Sequence, residues 1–315
     1  MKILLSLCLL LISCGLLPPE ENVDLASRAG EVSRDRLMET VTGLSAIQSR
    51  WMEYESACNE TLNLLLDYLE EQGNEARLDS IEFSFHGATI RSANVVVDFP
   101  GTLYPERQVL VGAHWDCQAY PESWTDSTAR APGAVDNASG VAAVLEVARL
   151  LKDAETENSL RLILLAAEEV GLKASRPIAQ QWHQEDGPDS LICFLNVDMV
   201  GYDADEADLT IVCDDISVDL AASLLPLAGE ICENVRLDTL EVVFPAHSSS
   251  DHHWFWFYGL PALWLHEGPE DAFPLANTMQ DTLGAVNPAF LRSSTQALLG
   301  MVWQLAGVEI PGREP

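Results

Sequence analysis

The chain has 315 residues, with 49 acidic against 17 basic side chains and a formal charge of -32. A field of that sign repels phosphate backbones and anionic lipid surfaces, so nucleic acid is set aside as a partner. The length supports a full hydrophobic core, no linker divides it, and the evenly spread acids read as a solvated surface.

In chain order, residues 1–13 combine Lys2 with a nearly unbroken apolar stretch that ends in Leu11-Ile12-Ser13-Cys14. This is the pattern of a cleaved signal peptide, too short for a permanent spanning helix. The Leu-Ile-Ser-Cys ending resembles a bacterial lipoprotein box, which implies lipidation of Cys14 as the sole membrane contact. With Gly15 following, the expected place is the bacterial cell envelope, anchored at the outer membrane; an ordinary cleaved signal is the alternative. Residues 14–29 read as a lipid-anchored tether and 30–315 as one catalytic domain. Cys58, Cys117, Cys193, Cys213 and Cys232 form an odd set without Cys-x-x-Cys, so no disulfide framework is expected. At most one or two bridges fit, Cys213 with Cys232 being the pairing considered.

Amphipathic helices are predicted at 31–42 and 56–72, the second carrying Leu62, Leu65, Leu66 and Leu69 at helical spacing and stopping at Gly73. Strands follow at 89–98 and 107–113, then a helix from Asp136 to about residue 153. The alternation continues with a strand at 159–167, a helix at 173–184, strands at 190–197 and 208–213, and a helix at 217–233. A strand at 240–244, a short aromatic helix, a strand at 261–265 and a terminal helix at 288–306 complete it. That order predicts an α/β fold, a mixed, largely parallel central sheet with helices on both faces.

Short apolar runs in such a sheet read as buried strands, and open α/β sheets gather their chemistry at strand carboxyl ends. Val109-Leu110-Val111-Gly112-Ala113 leads to His114 and Asp116. Leu162 to Ala167 leads to Glu168 and Glu169, and Leu191 to Leu195 leads to Asp198. Asp136 follows a Pro132-Gly133 turn at a helix start, where its bland role is an N-cap. Adjacent glutamates after an apolar strand need a reason, because unpaired buried charge is costly. One could bind a metal and the other act as general base. Each residue alone has an ordinary explanation, but their recurrence at consecutive strand ends points to a metal-dependent hydrolase.

The segments Gly112-Ala113-His114-Trp115-Asp116, Ala131 to Gly140, Ala167-Glu168-Glu169-Val170-Gly171-Leu172 and Asn196-Val197-Asp198 resemble metallopeptidase family 28 over residues 85–305. The resemblance implies a phosphorylase/hydrolase-like fold of the zinc exopeptidase type. It also implies one or two zinc ions per chain and a peptide substrate. Residue by residue, His114 and Asp198 would hold a first zinc, Asp136 would bridge both ions and Glu169 would bind the second. Glu168 would be the general base for metal-activated water, Asp116 would orient His114, and Ser250-Asp251-His252 would lie close by. The implied activity is that of an aminopeptidase removing N-terminal residues. Glutaminyl-peptide cyclotransferase, or a non-catalytic lipid-anchored relative, is the alternative.

One position departs from the family. Its last ligand is a His in an Asn-Pro-x-x-His-Thr-x-x-Asp-Thr pattern, where this chain reads Phe273-Pro274-Leu275-Ala276-Asn277-Thr278-Met279-Gln280-Asp281-Thr282. An amide suits zinc poorly. The second ion is therefore loosely held, absent, or completed by a neighbour such as His266. The run Trp254-Phe255-Trp256-Phe257-Tyr258 is either core or the wall of an apolar substrate pocket. The oligomeric state is not legible.

Overall fold

The computed structural model describes residues 25–118, 130–187, 190–203, 209–231, 240–242, 250–267 and 273–309. The expected signal peptide, Cys14 and Cys232 lie outside these residues. Three helices lead the fold: α1 (Leu25–Gly30), α2 (Arg34–Ala46) and α3 (Glu55–Glu71). The Ser33 side chain caps α2 by accepting the Arg36 N–H, while the Ser33 N–H donates to Glu146 at 2.7 Å. In α3, Cys58, Leu62, Leu65 and Leu69 form the buried stripe, and Gly73 in the left-handed region ends the helix.

The chain then enters the strands β1 (Ala76–Phe85), β2 (Ala88–Phe99) and β3 (Tyr104–His114). A wide helical turn at Ala134–Ser139 runs into α4 (Gly140–Leu151), followed by β4 (Glu155–Thr156), β5 (Asn158–Leu165), α5 (Ser175–Gln181) and β6 (Leu191–Val197). The remaining elements are β7 (Thr210–Cys213), α6 (Val218–Ile231), β8 (Leu240–Val242), α7 (His252–Phe257), β9 (Ala262–His266), α8 (Pro288–Ala306) and β10 (Val308–Glu309). Asn287 caps α8 by accepting the N–H groups of Ala289 and Phe290, with Pro288 at the first helical position.

Among the described residues, eight strands form one sheet in the order β1-β2-β5-β3-β6-β9-β7-β8. β5, β3, β6 and β9 run parallel as its centre, β8 is parallel to β7, and β1, β2 and β7 join antiparallel. The α/β class with a mixed sheet is therefore observed. Side chains alternate across this sheet as a pleat requires. Val109, Val111, Leu160, Leu162 and Leu164 pack under residues of α2, α3, α4, α6 and α8, whereas Leu110, Ile163, Leu165 and Phe194 pack against α5 and α7. Helices thus cover both faces.

Two local differences from the sequence reading have physical causes. β1 was not anticipated, because this edge strand leaves most of its side chains in or near solvent and offers no apolar run. The helix after Asp136 becomes regular only at Gly140, since Asp136 (φ -108, ψ 94) and Asn137 (φ -131, ψ 42) are not helical. In addition, the tether expected through residue 29 is helical from Leu25, with Ala29 buried. Cys58, Cys117, Cys193 and Cys213 are free, buried thiols. No helix among the described residues is long and apolar enough to cross a membrane.

Candidate metal centre

The carboxyl ends of the parallel strands β3, β5 and β6 meet at one edge of the sheet. β3 ends at His114, two short turns beyond β5 and β6 carry Glu168 with Glu169 and Asp198, and the turn before α4 carries Asp136. His114 Nε2 lies 3.3 Å from Asp136 Oδ1 and 3.4 Å from Asp198 Oδ1. One ligand-type atom from each of the three residues falls within 4.8 Å of the others, and all three residues are buried.

A bound ion fits this group. The contacts are long for hydrogen bonds, and Asp198 Oδ1 is buried with no hydrogen-bond partner. Donors about 2.0–2.1 Å from a tetrahedral ion sit about 3.4 Å apart, close to the spacing found here. The charges also require compensation. His114 resists the loss of charge that burial favours, because Glu168 and Asp198 push its pKa well above the ordinary value. Burial raises Asp136, against the opposing pull of the His114 ring beside it. Asp198 is held low, since His114 outweighs its burial.

The turns are fixed by groups that accept backbone N–H donors. Asp281, buried on the loop before α8, accepts from Val135 at 2.8 Å and from Asp136 at 2.9 Å. Asn137 Oδ1 accepts the N–H of Gly140 at 2.9 Å and of Met199 at 3.1 Å, and its Nδ2 donates to the Val197 carbonyl at 2.9 Å. This stitches the Asp136 turn to the Asp198 turn. Gly140 is required because a Cβ there would collide with the Val197 carbonyl and the Asn137 side chain. Asp136 itself is no N-cap: it points into the ligand group.

Asp116 acts on both sides. Its backbone carbonyl lies 3.1 Å from His114 Nδ1 and its Oδ1 lies 3.7 Å away, while the same carboxylate accepts the N–H groups of Glu168 and Glu169, each at 3.1 Å. Ala167, just before Glu168, and Met199, just after Asp198, both occupy the left-handed region at φ 61 and φ 57. Glu168 is buried, and that burial, reinforced by the charges of Glu169, Asp251 and Asp198, raises its pKa well above the usual carboxyl range. Asn196 ties Ser250 and His252 to β6 at 2.7 and 3.2 Å, which keeps the Ser250-Asp251-His252 segment beside the group as the resemblance implied. Burial pushes Asp251 up to about 7.

Glu169 is placed differently. Gln118 Nε2 donates to its Oε2 at 2.6 Å. In the amide orientation that satisfies both of its polar ends, Asn277 donates to Oε1 at 2.9 Å and to Oε2 at 3.1 Å. His266 stands at the end of β9 with its ring 4.4 Å from that of Trp264, and its charge acts on Asp198. The aromatic run divides: Phe255 and Trp256 are core, Phe257 is 60% exposed, and Arg176 lies 4.6 Å from the Trp254 ring centre.

Three contributors escaped the sequence reading. Arg50 is fully buried and donates to the carbonyls of Trp115, Leu44, Pro132 and Gly133 at 2.7–3.0 Å, joining the end of β3 to the turn before Asp136. Asn137 sits inside a segment that carries the resemblance and Asp281 inside the stretch that departs from it, but their partners include residues distant in sequence.

The profile of peptidase family M28 matches residues 94–302, a span that contains every one of these strand ends. The chain belongs to peptidase family M28. Leucine aminopeptidase 1 of Ajellomyces capsulatus (strain H88) is 25% identical over 299 residues, covering 90% of this chain and 74% of that relative. Among solved structures, the aminopeptidase from Aneurinibacillus sp. strain AM-1 superposes with a TM-score of 0.73 at 16% identity, covering 93% of this chain and 98% of that one. A glutaminyl cyclase from Macrostomum lignano gives 0.74 at 14% identity, covering 93% and 95%. These structures share the M28 fold, which hosts both chemistries, so fold alone does not choose between them.

Proposed function

We propose that this protein is a zinc-dependent exopeptidase of the aminopeptidase type, hydrolysing N-terminal residues of peptides. The observation that carries the reading is the convergence of His114, Asp136 and Asp198 on one buried point, with the Glu168 carboxylate among their charges. One imidazole and two carboxylates suit zinc in a catalytic site, where three protein donors leave a position open. When bound, the ion polarises the scissile carbonyl and acidifies the attacking water. Glu168 takes the proton of that water and passes it to the leaving amine. Asp116 keeps Glu168 in place through its backbone, and Asp281 does the same for Asp136. Family membership and the leucine aminopeptidase relative support peptides as the substrate class.

Glu168→Gln tests the assignment: zinc content is retained while hydrolysis of amino-acid anilides falls by about 100-fold or more. Full residual activity would reject the role. Glutaminyl cyclisation is the second reading, favoured by the shared fold. It fits less well, because the cyclase resemblance relies on a final His where this chain has Asn277. An N-terminal Gln peptide separates the two, cyclisation releasing ammonia and hydrolysis releasing free glutamine. We also propose a lipid anchor at Cys14 in the bacterial envelope, supported by the Leu11-Ile12-Ser13-Cys14 ending. With Cys14→Ser the protein should move from the membrane fraction to the soluble one.

A further inference from the structure

Glu169 is the carboxylate that a second ion would need, and its surroundings are those of a hydrogen-bond acceptor. Gln118 Nε2 donates to Oε2, and with the Asn277 amide turned so that both of its polar ends are satisfied, its N–H groups reach both oxygens. In that orientation a cation at Glu169 would face N–H hydrogens, and the oxygen at the other end of the amide is a poor donor for zinc where the family supplies an imidazole. The arrangement is built into the backbone, since Asn277 sits in the left-handed region at φ 59, which Asn tolerates better than other residues with a Cβ. The ligand atoms that converge among the described residues are those of His114, Asp136 and Asp198, and His266 is not in that group. We infer that this chain is a one-ion member of its family. Its single zinc lies between His114, Asp136 and Asp198, and Glu169, clamped by Asn277 and Gln118, holds none. Asp136 then serves one ion rather than bridging two.

This inference rests on the zinc reading above, and metal content separates the failure of one from the failure of the other. The full chain is saturated with zinc, freed of loose ion by gel filtration and measured by plasma mass spectrometry, with circular dichroism as a folding control. One zinc per chain is expected for the wild type and for Glu169→Gln, none for His114→Ala, and two for Asn277→His. Two ions in the wild type would overturn the inference and leave the zinc peptidase standing, whereas none would overturn both. Loss of the ion in folded Glu169→Gln would place it on the opposite carboxylate and also overturn the inference.

Discussion

Asp116 Oδ1 accepts the backbone N–H of Glu168 at 3.1 Å, so the residue beside the imidazole also sets the position of the proposed general base. Asn at 116 could accept only one of the two N–H donors now shared by its carboxylate oxygens. Asp116→Asn should therefore lower kcat by about 10–100-fold while zinc content is kept. Equal loss of zinc would show that Asp116 works through His114 instead.

Asp281 has the corresponding role for Asp136. In Asp281→Asn one of the Val135 and Asp136 N–H groups is left buried without an acceptor. Zinc affinity should fall by about 10–100-fold and stability by about 1–3 kcal/mol. Competition against a chromophoric chelator and urea melts measure the two, and an unchanged affinity would remove Asp281 from the account.

Arg50 is the largest buried polar group holding the site's scaffold. Lys in its place cannot reach the carbonyls of Trp115, Leu44, Pro132 and Gly133 together. Arg50→Lys should cost about 3 kcal/mol or more in denaturant unfolding, from acceptors left without donors. A cost below about 1 kcal/mol would mean that water replaces the guanidinium.

Glu267 predicts a pH dependence. It is buried, its Oε1 accepts the Phe273 N–H, and burial pushes its pKa up to about 9 from 4.5. Between those values the folded chain keeps the proton and the unfolded chain loses it. Stability therefore falls as pH rises through that window, by up to about 1.4 kcal/mol per unit for this group. Gln has no such proton and can keep the acceptor. In chelator-treated protein, Glu267→Gln should melt above the wild type by a margin that widens from about pH 5 to 9. Parallel melting curves across that range would refute the shift.

The strand-end residues were legible because each closes an uninterrupted apolar run, and a run of that kind fixes both a buried strand and where it surfaces. His114, Glu168 and Asp198 could be placed on one edge before any coordinates. β1 was hidden by its exposed side chains, and the irregular turn at Asp136 was hidden because Val141, Val144 and Leu145 carry a helical period close behind it. The departure at Asn277 was visible as a changed residue type. What it does was not, because its bond to Glu169 joins segments far apart in the chain. Arg50 gave no signal at all, since a lone Arg between two helices reads as surface.

Asp281, Asn137 and Asp116 accept main-chain N–H donors and so brace the three turns against one another. These braces are protein–protein bonds and do not depend on a cation for their partners. A metal that demands six evenly spaced oxygens would meet one imidazole and two carboxylates on turns tied to one another, a donor set and spacing that suit zinc better.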